Sequence, residues 1–152
     1  LFDCQQPPNQ QGSLFKQTQQ SSIEDLKPLK LTPLPLSFWR WPTPPNYGPA
    51  IYLVMDKLES HNSHILLYIG ETIAADRRWK GEHDCKSYLA AYCETLANAG
   101  INNQLSIRFW SDVPEDSKER RKLELQLIRH WLPPFNKETR GRWSTPFTAK
   151  VS

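Results

Sequence analysis

At 152 residues and a net charge of +3, the chain suits one ordinary domain with an appendage, and no apolar run approaches the roughly 18 residues of a membrane span. The 19 basic and 16 acidic side chains nearly balance, so bulk charge selects no partner, although cations gather at Arg77–Lys80, Lys118–Lys122 and Lys137–Arg142. Cys4, Cys85 and Cys93 show no pairing pattern and no signal peptide is visible, so reduced thiols, a cytoplasmic location and no membrane association are expected.

The chain begins at Leu1 and its only methionine is Met55, so a missing natural start or a longer parent is expected. Seven of the first twenty residues are Gln, and nine of the thirteen prolines fall at or before Pro49. Residues 1–47 therefore read as a Gln/Pro-rich arm, extended or disordered for most of its length. Phe38, Trp39, Trp41 and Tyr47 are costly to leave in water, which favours an arm lying on the surface of the following domain. The rival reading makes Pro42–Pro45 a proline-rich ligand for a protein partner.

The folded domain is expected over residues 48–143, with 144–152 as a tail. Ala50–Met55 and Ile65–Gly70 are apolar runs that read as two strands of a hairpin, joined by a polar loop over Lys57–His64. A register centred on position 60 sets Tyr52 opposite Tyr68 and gathers two phenols on one face. After Gly70 a turn and short helix are expected, with Thr72 or Asp76 as N-cap. Tyr88, Leu89, Tyr92 and Leu96 have helical spacing and Gly100 stops that helix. Gln104–Trp110 alternates as a half-buried strand. Val113–Ser117 supplies a turn and N-cap for a long helix over Lys118–Trp131, ended by Pro133 and Pro134. The fold class is α+β: a small three-stranded, mainly antiparallel sheet flanked by helices.

On that long helix, at about 100° per residue, Leu123, Leu127, Trp131 and Ile128 span an arc of roughly 140°. Glu124 falls inside it. A carboxylate in an apolar stripe is expensive without a partner. Two readings stand: a buried salt bridge to Arg120 or Arg121, or a functional carboxylate offered to a metal or a base.

Two strand tyrosines, an arginine and an inward-facing glutamate give one site four chemical handles. In this the chain resembles the GIY-YIG nucleases over about residues 49–137. The first signature stands as Ala50-Ile51-Tyr52 and the second as Tyr68-Ile69-Gly70. Arg78 follows Tyr68 by ten positions, and Asn136 follows Glu124 by twelve, both as in the family. Ala50 replaces the family's glycine, and Glu71 stands where several members carry a lysine, which removes one positive charge and adds a negative one. Where some members carry a histidine this chain has Glu82, with His83 one residue later.

The resemblance implies a metal-dependent DNA endonuclease, either a structure-specific repair or recombination enzyme or a restriction-like one. Its catalytic residues would be Tyr52, Tyr68, Arg78, Glu124 and Asn136. Glu124 would hold one Mg²⁺ or Mn²⁺ by a single carboxylate, and Arg78 would grip the scissile phosphate through its planar fork. Tyr52 would orient the water and accept its proton, Tyr68 would hydrogen-bond to water or phosphate, and Asn136 would buttress the site. A free phenol has a pKa of about 10, so Tyr52 needs a nearby cation to act as a base. Arg77, Lys80, His83, Lys137, Arg140 and Arg142 are expected on the DNA backbone, with Trp79 and Trp143 stacking on bases or packing in the core. No zinc site is expected, because His61 and His64 share a loop and His83 and Cys85 lack a second pair. The competing reading is a nucleic-acid-binding module of the same fold without catalysis.

Overall fold

A computed structural model describes residues 21–74 and 84–148. The fold is α+β, with the strands in the order β2-β1-β3, all antiparallel. β1 is Ala50–Leu58, β2 Ser63–Thr72 and β3 Asn103–Trp110. α1 is Asp84–Asn98, α2 Ser117–Trp131 and α3 the single turn Arg140–Trp143. No helix among the described residues is long and apolar enough to cross a membrane.

β1 reads as an unbroken apolar run because it is the central strand and both its faces are covered. Ala50, Tyr52 and Val54 meet α1 through Cys85, Leu89 and Tyr92. Ile51, Leu53 and Met55 meet α2 through Leu123, Leu127 and Ile128. Asp116 caps α2 by accepting from the Glu119 N–H at 3.0 Å, and Leu132 ends it in a left-handed conformation at φ 52°. Gly100, at φ +73°, takes the left-handed position just past α1, where glycine carries no Cβ penalty.

The hairpin register differs from expectation. Its turn is the four residues 59–62, shorter than the expected loop, with Asn62 left-handed at φ 49°. The strands therefore run longer, and Leu58 pairs with Ser63. The register then shifts, since Met55 faces Leu66 but Val54 faces Tyr68, leaving Leu67 as the extra residue of a β-bulge. Tyr52 thus sits opposite Gly70, not Tyr68. The turn and the bulge each move the register by one, so the net slip is two and the face is preserved. The bulge sends Leu67 and Tyr68, neighbours in sequence, to the same core cluster as Tyr52. Without it, Tyr68 would point to the α2 face.

The arm also differs. Leu26, Leu34 and Phe38 are buried, so the core begins well before residue 48. Leu34 and Ile107 exchange backbone hydrogen bonds at 2.9 and 2.8 Å, which covers the outer edge of β3. Phe38 packs edge-on against Phe109, and Tyr47 stacks on the same ring. Burial of Leu26, Leu34 and Phe38, at about 1.5–3 kcal/mol for each side chain, contributes to ordering this proline-rich strap. Over residues 26–47 this agrees with an arm that lies on the domain; residues 1–20 lie outside the described residues. The arm also makes β3 buried on both faces, where its alternation read as half-buried: Ser106, Arg108 and Trp110 are covered as well.

Candidate active site

The candidate site is built around the last residues of β2, Tyr68–Glu71. Tyr52, 0% exposed, projects from β1 toward this stretch. A Cβ built on Gly70 would lie 2.3 Å from both Cζ and the hydroxyl oxygen of Tyr52. The phenol therefore lies across the glycine and carries its hydroxyl outward over β2, an edge strand. Tyr68 joins it on that face, half-buried, with ring centroids 6.1 Å apart and planes tilted by 32°. The spacing of the two motifs thus has a steric meaning: the second supplies the gap that the ring of the first occupies. Gly70→Ala is expected to cost about 1–3 kcal/mol, because the displaced ring has only packed core around it. Urea unfolding measures that cost, and near-ultraviolet circular dichroism reports whether the tyrosines have moved.

Asn136 closes the outer edge of β2. Its side chain accepts from Ile69 N–H at 2.9 Å and donates to Ile69 C=O at 2.8 Å, so the amide acts as a one-residue strand partner. Phe135 N–H donates to the carbonyl of Leu67, the bulged residue, at 3.0 Å. After α2 the chain passes round this edge, from the α2 face to the cluster that holds Phe135 with the tyrosines. Asn136 is only 3% exposed.

Glu124 lies on α2, half-buried, on the stripe that covers β2. Arg120, one turn earlier, marks where that stripe meets β2. Its Nε donates to Glu71 Oε2 at 2.8 Å, and Arg121 Nε lies 3.5 Å from Glu71 Oε1. Both arginines offered by the sequence as partners of Glu124 thus pair with Glu71. Four residues of helix amount to about 6 Å of rise, which sets Glu124 one turn along α2 from the Glu71 contact, on the α2 side of the sheet and not on the face that holds Tyr52 and Tyr68. Glu71, expected to add a negative charge beside the phosphate, has that charge answered by a guanidinium that is itself 0% exposed.

Arg77, Arg78, Trp79, Lys80, Glu82 and His83 lie outside the described residues, as does Asp76. The Thr72 hydroxyl accepts from Ala74 N–H at 3.0 Å in a local turn. Of the other cations expected on DNA, Lys137 and Arg142 are exposed beside the edge held by Asn136. Arg140 is instead engaged within the fold: Nη1 donates to the Tyr88 hydroxyl at 2.5 Å, and the guanidinium lies 5.7 Å from that ring's centroid. Trp143 is 55% exposed and anchored only by Nε1 donating to Leu132 C=O.

The sequence reading missed Asp56. Its buried carboxylate accepts from the Tyr92 hydroxyl at 2.5 Å and from Asn103 Nδ2 at 3.2 Å. Burial and this carboxylate push the Tyr92 hydroxyl well above the ordinary tyrosine range. Asp56 follows Met55 in a strand, and that position was the one available signal. Among the described residues no group of three or more His, Cys, Asp or Glu side chains converges as a ready metal cage. A donor set of one hard carboxylate, Glu124, suits a cation that keeps most of its ligands as water and phosphate oxygen. Compared with family models, with curated proteins and with solved structures, the chain matches none.

Proposed function

We propose that this protein is a metal-dependent DNA endonuclease of the GIY-YIG type, hydrolysing phosphodiester bonds at the end of β2. The observation that carries the reading is the Tyr52 phenol laid across Gly70 beside Tyr68. One such tyrosine would be ordinary packing, and it is the joint placement of two phenols on one face at the end of β2 that supports a chemical role. In this reading Tyr52 orients the attacking water and takes its proton, and Tyr68 hydrogen-bonds to the same water or to the phosphate. Arg78 neutralises the phosphate, and Asn136 fixes the backbone that carries Tyr68. Glu124 holds one Mg²⁺ or Mn²⁺, which supplies Lewis-acid charge and lowers the pKa of water bound to it. Lys137 and Arg142 add phosphate contacts along the same edge. Cys85 and Cys93, neither in a disulfide among the described residues, support a reducing, cytoplasmic setting. Exposed Pro42 and Thr43 leave room for a protein partner on the arm.

Plasmid nicking in Mg²⁺ or Mn²⁺ tests the reading, with flap and four-way DNA alongside. Tyr52→Phe and Glu124→Gln are each expected to slow cleavage by about 10²–10⁴-fold. If wild type cleaves no faster than these variants, the protein is not an enzyme of this class. DNA binding retained by all three proteins would then identify a non-catalytic module.

A further inference from the structure

A second polar site lies on the opposite face of the sheet, away from the tyrosines. Lys57 on β1 pairs with His64 on β2 and with Gln104 on β3, and Ser106 and Arg108 follow at alternate positions of β3. With Pro33–Pro35 of the arm, these residues line a cavity of about 590 Å³. That is the size of a small-molecule site, for which about 300–1,000 Å³ is usual. Lys57, His64 and Arg108 all turn toward it, and no Asp or Glu lines it.

Arg108 is the unusual member. It is 6% exposed, and its hydrogen-bond partners are neutral: Nε donates to Ser106 Oγ at 3.3 Å and Nη1 to Pro28 C=O at 3.1 Å. Among the described residues no carboxylate lies within ion-pair distance of Lys57, His64 or Arg108. Asp56 is held on the other face by Tyr92 and Asn103. Glu59 lines an adjoining hollow that shares Lys57 and Gln104 with the cavity, and makes no ion pair with Lys57 among the described residues. Burying a guanidinium without an anion is costly, and the arm adds to that cost by covering it. Burial lowers the affinity of Arg108 for its proton, and burial followed by the charges of Arg108 and Lys57 lowers that of His64.

We propose that this cavity binds a phosphate-type dianion, taken by the Arg108 fork, the Lys57 ammonium and a protonated His64. Three convergent cations match a dianion better than a single carboxylate, and the planar fork suits two oxygens of one tetrahedral group. The proline wall leaves room for the organic part of a phosphomonoester. The site stands apart from the phosphodiester reading, because it lies at the hairpin-turn end of the strands and uses none of the residues of that reading.

The test uses the full chain in EDTA without DNA, so its outcome is independent of nuclease activity. Inorganic phosphate and glycerol 3-phosphate are titrated separately while the His64 ring resonances are followed by NMR, assigned with His64→Gln. Without ligand, burial and the charges of Arg108 and Lys57 hold the His64 pKa below its ordinary value. A bound dianion favours the charged ring, so either probe is expected to raise the His64 pKa and the melting temperature. Lys57→Ala is expected to weaken binding at least ~10-fold, about 1.4 kcal/mol. Arg108→Gln removes a buried group and risks the fold, so Lys57→Ala carries the test. Tighter binding of glycerol 3-phosphate identifies a phosphomonoester as the ligand class, and tighter binding of inorganic phosphate identifies the free ion. His64 resonances unmoved by both probes, or binding unchanged in Lys57→Ala, overturn the site.

Discussion

Glu71→Ala is expected to destabilise the fold by about 3–5 kcal/mol, the usual cost of leaving a buried charge without its partner. The Arg120 side chain is 0% exposed and that of Glu71 18%. The guanidinium also ties down the turn before α2: Nη1 donates to the carbonyls of Pro114 and Glu115, and Nη2 to Ser117 Oγ. Those neutral acceptors orient Arg120 but do not balance its charge. A loss of this size is a large part of the total stability of a domain, about 5–15 kcal/mol. Glu71→Lys, which would install the lysine that several GIY-YIG members carry here, should do worse, since two cations would then share one buried site. Its loss of activity would follow loss of fold and would not report on chemistry. Urea denaturation measures both variants, with Glu71→Leu combined with Arg120→Met as control. The double variant removes both charges and should recover most of the loss. A single-variant cost below about 1 kcal/mol would class the pair with ordinary surface ion pairs.

This ion pair marks the limit of what the sequence discloses. The strands, the two long helices and their stops were legible because each writes a local signal: an apolar run, a 3.6-residue period, a capping Asp116, a glycine or a pair of prolines. The shared face of Tyr52 and Tyr68 was legible too, but the register that produces it was not. Ile65–Ile69 is apolar at every position, so nothing in the run shows that Leu67 is an extra residue. The Glu71–Arg120 pair joins residues 49 positions apart, and Glu124 offered a nearer explanation for the same arginine. The arm misled for a related reason. Its proline and glutamine content describes the cost of ordering it, whereas Leu26, Leu34 and Phe38 decide the outcome by burying themselves. The basic cavity depends on that arm and on three strands at once, so no single stretch of sequence announces it.

Asn136→Ala is expected to cost about 2–4 kcal/mol, because it strips the partners from two buried backbone groups at once. Ile69 N–H and C=O both turn outward from an edge strand, and a methyl group answers neither. Asn136→Asp separates the two bonds. Its carboxylate still accepts from Ile69 N–H, but it sets a negative oxygen against Ile69 C=O where the amide had donated. Burial and that carbonyl raise the folded-state pKa of the new Asp above its unfolded value of about 3.9. Its neutral form, which can donate, is therefore favoured in the fold. The stability it confers is present below the unfolded pKa and is lost as pH rises through the folded one. The difference in stability between Asn136→Asp and wild type should accordingly narrow from pH 7 toward pH 4, while that of Asn136→Ala stays constant. Nicking kinetics separate positioning from chemistry. If Asn136 only holds Ile69, and through it Tyr68, Asn136→Ala should lower kcat while leaving the dependence on metal concentration unchanged. A rise in the metal needed for half-maximal rate would instead make Asn136 part of the metal's surroundings. The geometry favours the first result, because both functional groups of the amide are already used on the backbone of β2.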